Sequence, residues 1–451
     1  MYAIYNLVTT AGMILLLPYF LVRGLFSGKY LDHVRERLGW RFPAELRASG
    51  PKPPQGGTIW IHAVSVGEVL AALPLAREIK RRYPSRRLVV STTTKTGQRL
   101  ARERVSFADA VFYFPLDWIG PVRRSLAAVR PAAILIVETE IWPNFLRECR
   151  RAGVPVAFVN GRLSERSFRG FRRALSFSMG TLRGFLKRIL NDAALFLVQS
   201  EQDAARLLAL GADPERVVVT GNLKYDLGDP AGTPLSNWLR EEMAGNARHP
   251  VIVAGSLLAG EESIVLRAFA QVRREYPRSL LILAPRKPER FEAAARIVRD
   301  AGLEPVLRST LSLNGTGSNV LSAPGSVLLL DSVGELASVY GVADVVFVGG
   351  SLVPAGGHNI LEPAAHGKPP VYGPSMENFR EMAREYLEAG AAVEVSSADE
   401  LAAAWTALLA DADRSARMGS AARRLVERNR GATDRVLAQL GKILDAGGSQ
   451  A

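Results

Sequence analysis

His62-Ala63-Val64-Ser65-Val66-Gly67-Glu68 closes an apolar run and opens an amphipathic one. Ser65 and Gly67 suit a tight strand-to-helix turn, which places Glu68 in the first helical turn, facing the strand ends. A carboxylate there can act as general base and take a proton from an attacking hydroxyl. On position alone the commoner role of such a Glu is to complement the helix dipole and do no chemistry. His62, at the strand end, reads as a packed or hydrogen-bonding histidine. A second apolar run ends in Glu138-Thr139-Glu140, and carboxylates at that point face the same mouth as Glu68 if the sheet is doubly wound. They could also bind a metal, but no third ligand cluster is visible. Lys224, in Thr220–Asp226, could offset charge on a leaving phosphate or a carboxylated sugar, although a lone lysine in a turn is usually solvated.

Farther along, Pro285, Arg286 and Lys287 follow another apolar run. Two cations beside a fixed backbone suit a nucleotide or its phosphate. Gly349-Gly350-Ser351-Leu352 and Gly356-Gly357-His358-Asn359-Ile360-Leu361-Glu362 make a glycine-rich entry to a helix, where backbone and free N–H groups can approach an anion. Glu362, in that first turn, should repel a phosphate unless it bonds a ribose.

These segments need an alternating scaffold, and the sequence supplies one. Short apolar runs alternate with amphipathic stretches from Thr58–Val64 to Val217–Thr220, and again from Val251–Ala254 to Ala392–Val395. This is the pattern of parallel α/β sheets. The expected organisation is an N-terminal membrane anchor at 1–25 and a Rossmann-like domain at 26–226. A Gly-, Pro-, Asp- and Asn-rich linker at 227–250, with a helix-like stretch around Leu239, leads to a second Rossmann-like domain at 251–425 and a C-terminal helix at 426–451. Two such halves predict a ligand cleft at the carboxyl ends of their strands.

The 451 residues exceed one ordinary core. A formal charge of +13 favours an anionic partner: nucleic acid, anionic lipid or a phosphorylated substrate. The single cysteine excludes an intramolecular disulfide framework and a Cys-based zinc cluster. Ala3 to Val22 is about as long as a bilayer-spanning helix, interrupted by Asn6, Thr9, Thr10, Gly12 and Pro18, and basic residues follow it. It lacks the charge order and exit of a signal peptide and reads as an uncleaved anchor with the remainder on the cytoplasmic side; a buried or interfacial helix is the alternative. Asn160 to Arg188 mixes eight basic residues with Phe168, Phe171, Phe177 and Phe185, as a segment lying on an anionic bilayer, gripping a phosphorylated lipid or binding RNA would; the apolar N-terminus favours the membrane.

Together these residues resemble the Kdo (3-deoxy-D-manno-octulosonic acid) transferases of lipopolysaccharide synthesis. The resemblance runs through Glu36-Arg37-Leu38-Gly39, Ile59–Glu68, Glu138–Asn144 and Asn160-Gly161-Arg162-Leu163-Ser164. It continues through Gly221–Asp226, Asp331–Leu336 and Gly349–Pro363 to Gly373-Pro374 with Asn378-Phe379. Pro370 stands where an aliphatic residue is more usual. The resemblance implies a GT-B fold, two Rossmann-like domains facing a central cleft. It implies inverting transfer of Kdo from CMP-Kdo to a lipid A precursor at the cytoplasmic face of a bacterial inner membrane. It implies no metal or other cofactor and no nucleic acid. Glu68 then looks like the general base, and Glu138 and Lys224 resemble transition-state-stabilising positions. Pro285 and Arg286, Val333, Gly334 and Glu335, and Asn359, Ile360, Leu361 and Glu362 are similar to CMP-binding positions. A GT-B transferase using a UDP-sugar and a basic lipid-binding protein without chemistry are the competing expectations.

Overall fold

The computed structural model describes residues 1–27, 33–47, 56–177, 181–226, 232–245, 250–313 and 325–446. Part of the basic flank at 28–32, residues 227–231 and 246–249 of the 227–250 stretch and the last residues of the C-terminal segment lie outside them. The apolar runs of the first half form strands β1 (Thr58–His62), β2 (Arg87–Thr92), β3 (Ala110–Tyr113), β4 (Pro131–Val137), β5 (Val156–Gly161), β6 (Leu195–Val198) and β7 (Val217–Val219). Those of the second half form β8 (Val251–Leu257), β9 (Leu280–Pro285), β10 (Pro305–Leu307), β11 (Val327–Leu329), β12 (Val345–Val348), β13 (Val371–Tyr372) and β14 (Val393–Glu394). The described pairings are parallel. Strands buried on both faces lose alternation and become continuous apolar runs, which is why they stood out in the sequence.

The chain divides into two compact units, Met1–Asp226 with Arg430–Ala451, and Leu227–Asn429. The first sheet has the order β3-β2-β1-β4-β5-β6-β7, so its direction of winding reverses between β1 and β4. The second runs β10-β11-β9-β8-β12-β13-β14 and reverses between β8 and β12. Trp60, Phe112, Phe145, Phe158 and Phe196 fill one face of the first sheet. Its other face is covered partly by the final helix, Ala432–Ala446, through Val436, Leu437, Leu440 and Leu444. Each such side chain contributes about 1.5–3 kcal/mol of apolar burial. In the second unit, Trp405 and Phe269 lie on one face of the sheet and Trp238 and Tyr340 on the other.

The helix-like stretch around Leu239 in the 227–250 segment is the helix Pro234–Gly245, which buries Leu235, Trp238 and Leu239 in the second unit. Two expectations need correcting. The 426–451 segment is not one helix: the helix Ala412–Asn429 ends within it, and Ala432–Ala446 follows as a separate one. Asp226 accepts N–H bonds from Gly431 (2.7 Å) and Thr433, and Arg435 donates to the Thr220 carbonyl at 2.7 Å, which returns the chain to the first unit. The N-terminal helix, Tyr2–Ser27, forms, but among the described residues no helix is long and apolar enough to cross a membrane. Its polar residues instead bond the first unit: Tyr2 to Asp192 (2.7 Å), Tyr5 to Asp117 (2.8 Å) and Asn6 to Asn144 (2.6 Å). Ile4, Leu7, Val8 and Leu15 remain exposed.

Candidate active site

In the first unit, the reversal between β1 and β4 brings the two acidic turns to neighbouring strand ends, where α/β sheets bind ligands. Glu68 sits in the first turn of the helix Val66–Arg82 with 8% exposure. Its carboxylate folds back onto its own turn, accepting the Val64 N–H at 2.7 Å and the Ser65 hydroxyl at 2.9 Å. It therefore helps to cap the helix as well as facing the site. Burial pushes its pKa up to about 7, against the Val64 bond, and the neighbouring Glu138 and Glu140 carboxylates add to the rise. A carboxylate poised near neutrality suits a general base.

Glu138 follows β4 directly, at φ 61°, a left-handed conformation that costs a residue with a Cβ of order 1–3 kcal/mol. Its N–H is held by the Val159 carbonyl at 2.9 Å. Lys224 reaches it from the short helical turn Leu223–Tyr225, Nζ to Oε1 at 3.5 Å. Glu68, Glu138 and Lys224 thus lie close together. Burial, and then Glu138, also raise the pKa of Glu140. His62 is fully buried, stacks on Phe114 at 3.7 Å and is pushed down to about 3 by burial, so it is a neutral core residue.

Beside the acids lies a cavity of about 350 Å³, lined by Glu138, Glu140, Arg162, Ser164, Ser167 and Phe171 among others. The Arg162 N–H donates to the Thr139 hydroxyl at 2.9 Å, tying the two walls together.

Two residues here escaped the sequence reading as contributors to the site. Asn160, buried at φ 57°, accepts the Leu223 N–H at 2.9 Å and so sets the turn that carries Lys224. Arg37 donates to the Thr93 carbonyl and lies over the Tyr113 ring at 5.1 Å. Thr93 in turn bonds the Val64 carbonyl at 3.3 Å, next to the Glu68 turn. The available signal was their place in two segments that carry the family resemblance, Glu36–Gly39 and Asn160–Ser164.

In the second unit, Pro285 ends β9 in the core, and exposed Arg286 donates its N–H to the Leu257 carbonyl at 2.9 Å. Its charge reaches both His358 and Glu362. Burial, reinforced by Arg286, pushes His358 down to about 4, and its Nε2 is buried without a partner among the described residues. Burial raises the pKa of Glu362, while the Asn359 amide (3.3 Å) and Arg286 oppose the rise. Arg286, His358, Asn359 and Glu362 therefore form one group.

The expected anion cradle is different. The N–H groups of Gly350, Ser351 and Leu352 all donate to the carboxylate of Glu261, so the first glycine loop is already filled. The helix after Asn359 is only Leu361–Ala365, its Leu361 N–H is taken by Asn359 Oδ1 at 3.1 Å, and Ile360 and Leu361 have side chains buried in the core. Those two positions can offer only backbone. Val333 is 71% exposed and Gly334 takes φ 97°. Glu335 is held by Arg308 at 2.9 to 3.2 Å and by the Ser332 hydroxyl. Among the described residues, no three His, Cys, Asp or Glu side chains group to hold a metal ion.

The family described as 3-deoxy-D-manno-octulosonic-acid transferase (kdotransferase) aligns with residues 32–227, and glycosyl transferases group 1 with residues 322–425. The 3-deoxy-D-manno-octulosonic acid transferase of Haemophilus influenzae is 36% identical over 431 residues, 94% of each chain. That of Bordetella pertussis is 36% identical over 418 residues, 89% of each. Among solved structures, MurG of Acinetobacter baumannii superposes with a TM-score of 0.54 at 14% identity, over 85% of this chain and 99% of its own, a likeness of fold alone. The two parallel-sheet units and this likeness identify the GT-B fold.

Proposed function

The chain belongs to the Kdo transferase family, and on that premise we propose that it transfers Kdo from CMP-Kdo to a lipid A precursor with inversion at the anomeric carbon. The observation that carries this reading is the grouping of Glu68, with its pKa near 7, and the Glu138–Lys224 pair at the strand-order reversal of the first sheet. Glu68 removes the proton from the acceptor hydroxyl as that oxygen bonds the anomeric carbon. The bond from that carbon to the CMP phosphate oxygen breaks, and CMP leaves with the electron pair. Lys224 and Glu138 stabilise the charge that develops in transfer, and Arg286 with the His358–Glu362 group holds CMP. Charge neutralisation rests on Lys224 and Arg286, so the reading calls for no metal.

The first unit binds the acceptor. The cavity beside Glu138 has room for a hexosamine ring, with Phe171 for its apolar face and Arg162, Ser164 and Ser167 for hydroxyl or phosphate oxygens. The acceptor is a lipid in the cytoplasmic leaflet of the inner membrane. Exposed Ile4, Leu7, Val8 and Leu15 support a helix lying in the interface. The basic, exposed Arg166, Arg169, Arg172 and Arg173 of the helix Glu165–Phe177 support contact with anionic headgroups.

The test is transfer from CMP-Kdo, generated in situ, to a tetra-acylated bis-phosphorylated precursor, read by mass spectrometry. Kdo adducts that vanish in Glu68→Gln are expected. A lack of adducts, with turnover of a UDP-sugar instead, would replace the donor.

A further inference from the structure

The strand order of the second sheet reverses between β8 and β12, and each strand delivers one half of an unusual arrangement there. After β12 come Gly349 to Leu352, and after β8 comes Glu261, the first residue of the helix Glu261–Glu275. Glu261 has no exposed surface. Its Oε2 accepts N–H bonds from Leu258 (2.9 Å) and Gly350 (2.6 Å), and its Oε1 accepts from Ser351 (3.0 Å) and Leu352 (2.9 Å). Successive backbone N–H groups pointing at one centre form an anion-binding nest. Here the occupant belongs to the protein. No neutral side chain offers two oxygens with enough lone pairs to accept four N–H bonds.

The glycines make this fit possible. A Cβ on Gly349 would meet the Ser256 carbonyl at 2.7 Å and Glu261 Oε2 at 2.9 Å, and Gly350 takes φ 69°. The arrangement then passes outward. The Gly350 carbonyl accepts the Gly357 N–H at 2.8 Å, and His358 packs where a Cβ on Gly350 would come within 2.7 Å of its ring. Gly357 and His358 lead directly into Asn359 and Glu362.

We propose that Glu261 is a positioning residue for the donor nucleotide: its carboxylate permanently fills the nest of Gly350–Leu352 and thereby sets His358 and the Asn359–Glu362 segment. The glycine loop is then a rigid support, not a phosphate cradle, and the donor phosphate is met by Arg286 and its neighbours. The inference rests on assigning the donor to the second unit.

The experiment compares wild type with Glu261→Gln and Glu261→Ala, measuring donor KM, acceptor KM, kcat and melting temperature with and without formate, the smallest carboxylate. Loss of charge-assisted bonds in the nest should raise donor KM about tenfold or more, with acceptor KM unchanged and kcat far less affected. In Glu261→Ala the emptied nest should take up formate, which raises the melting temperature and returns donor KM toward wild type, while wild type responds to neither. Should both variants fold poorly, Glu261→Asp keeps the charge with a shorter reach and should show a smaller rise in donor KM at near-native stability. Unchanged donor KM in the folded variants, or a Glu261→Ala enzyme indifferent to formate, overturns the proposal. Failure of wild type to use CMP-Kdo would overturn the functional reading instead. Formate-dependent melting of Glu261→Ala reads the nest independently of any substrate.

Discussion

Lys224 Nζ lies 3.5 Å from Oε1 of Glu138, which joins the turn after β7 to the turn after β4. Glu138 makes this contact from a left-handed backbone at φ 61°. The pair is thus built on local strain that the surrounding sheet must hold in place. Such strain is common where a side chain has to be aimed, and here it separates the two jobs of one residue.

The backbone cost can be measured apart from the side chain. Glu138→Gly and Glu138→Ala both remove the carboxylate, and both should lower kcat by about a hundredfold or more, as loss of an electrostatic contact to a transition state does. Only glycine accepts φ 61° freely, so Glu138→Gly should be the more stable of the two by about 1 kcal/mol. Chemical denaturation gives the comparison. Equal stabilities would mean that the turn relaxes once the side chain is gone.

The pH dependence follows from Glu68. Its pKa near 7 comes first from burial and then from Glu138 and Glu140. As a base it works when deprotonated, so kcat/KM for the acceptor should rise with unit slope through about pH 7 and level off above. Glu140→Gln removes one of the charges that raise the pKa, and the inflection should move to lower pH. An inflection that stays in place in that variant would assign the limb to another group.

How far these features were legible depended on how local their cause is. Buried parallel strands announce themselves as apolar runs, and turns before helices announce Glu68 and Glu138, so both sheets and the first-unit acids could be read directly. Long-range bonds leave no such mark. Glu261 and Gly350 lie 89 positions apart, and nothing in either segment says that one fills the other. The closure of Asp226 onto Gly431 spans 205 positions and is equally silent. The apolar N-terminus misled for a related reason: Tyr2, Tyr5 and Asn6 look like interruptions of an anchor until their partners on the first unit are known.

Asp226 offers a test of that closure. It accepts the N–H groups that open the final helix, a cap supplied from a distant loop, one residue beyond the turn that holds Lys224. Asp226→Ala should destabilise the first unit by about 1–2 kcal/mol. Hydrogen exchange should quicken in residues 432–446. By contrast, Asp434→Ala breaks an exposed ion pair with Arg82 and should change stability by less than about 1 kcal/mol. Comparable losses in the two variants would show that the cap is not special.

Phe171 tests the acceptor cavity. It is partly buried on the cavity wall, and its replacement by alanine leaves every charged group in place. Phe171→Ala should raise acceptor KM about tenfold, the effect of losing one aromatic contact, with donor KM unchanged. A shift in donor KM alone would place the cavity on the wrong side of the reaction.

Glu335 poses the sharpest question about the donor. By family resemblance it belongs with the CMP-binding positions, yet its carboxylate is engaged on both oxygens by Arg308 and also receives the Ser332 hydroxyl. Both partners of the ion pair are less than a fifth exposed, so the bond is shielded from solvent. A carboxylate so occupied acts best by fixing the Ser332–Glu335 turn, leaving the backbone of Val333 and Gly334 to meet the nucleotide. If so, Arg308→Ala and Glu335→Ala should raise donor KM by similar factors. The double variant should do little more than either alone, with a coupling of about 1–2 kcal/mol. If Glu335 instead bonds the nucleotide itself, Arg308→Ala should cost less than Glu335→Ala and the two effects should add. Donor KM across the four proteins of this cycle decides between an acid that recognises CMP and one that shapes the turn that does.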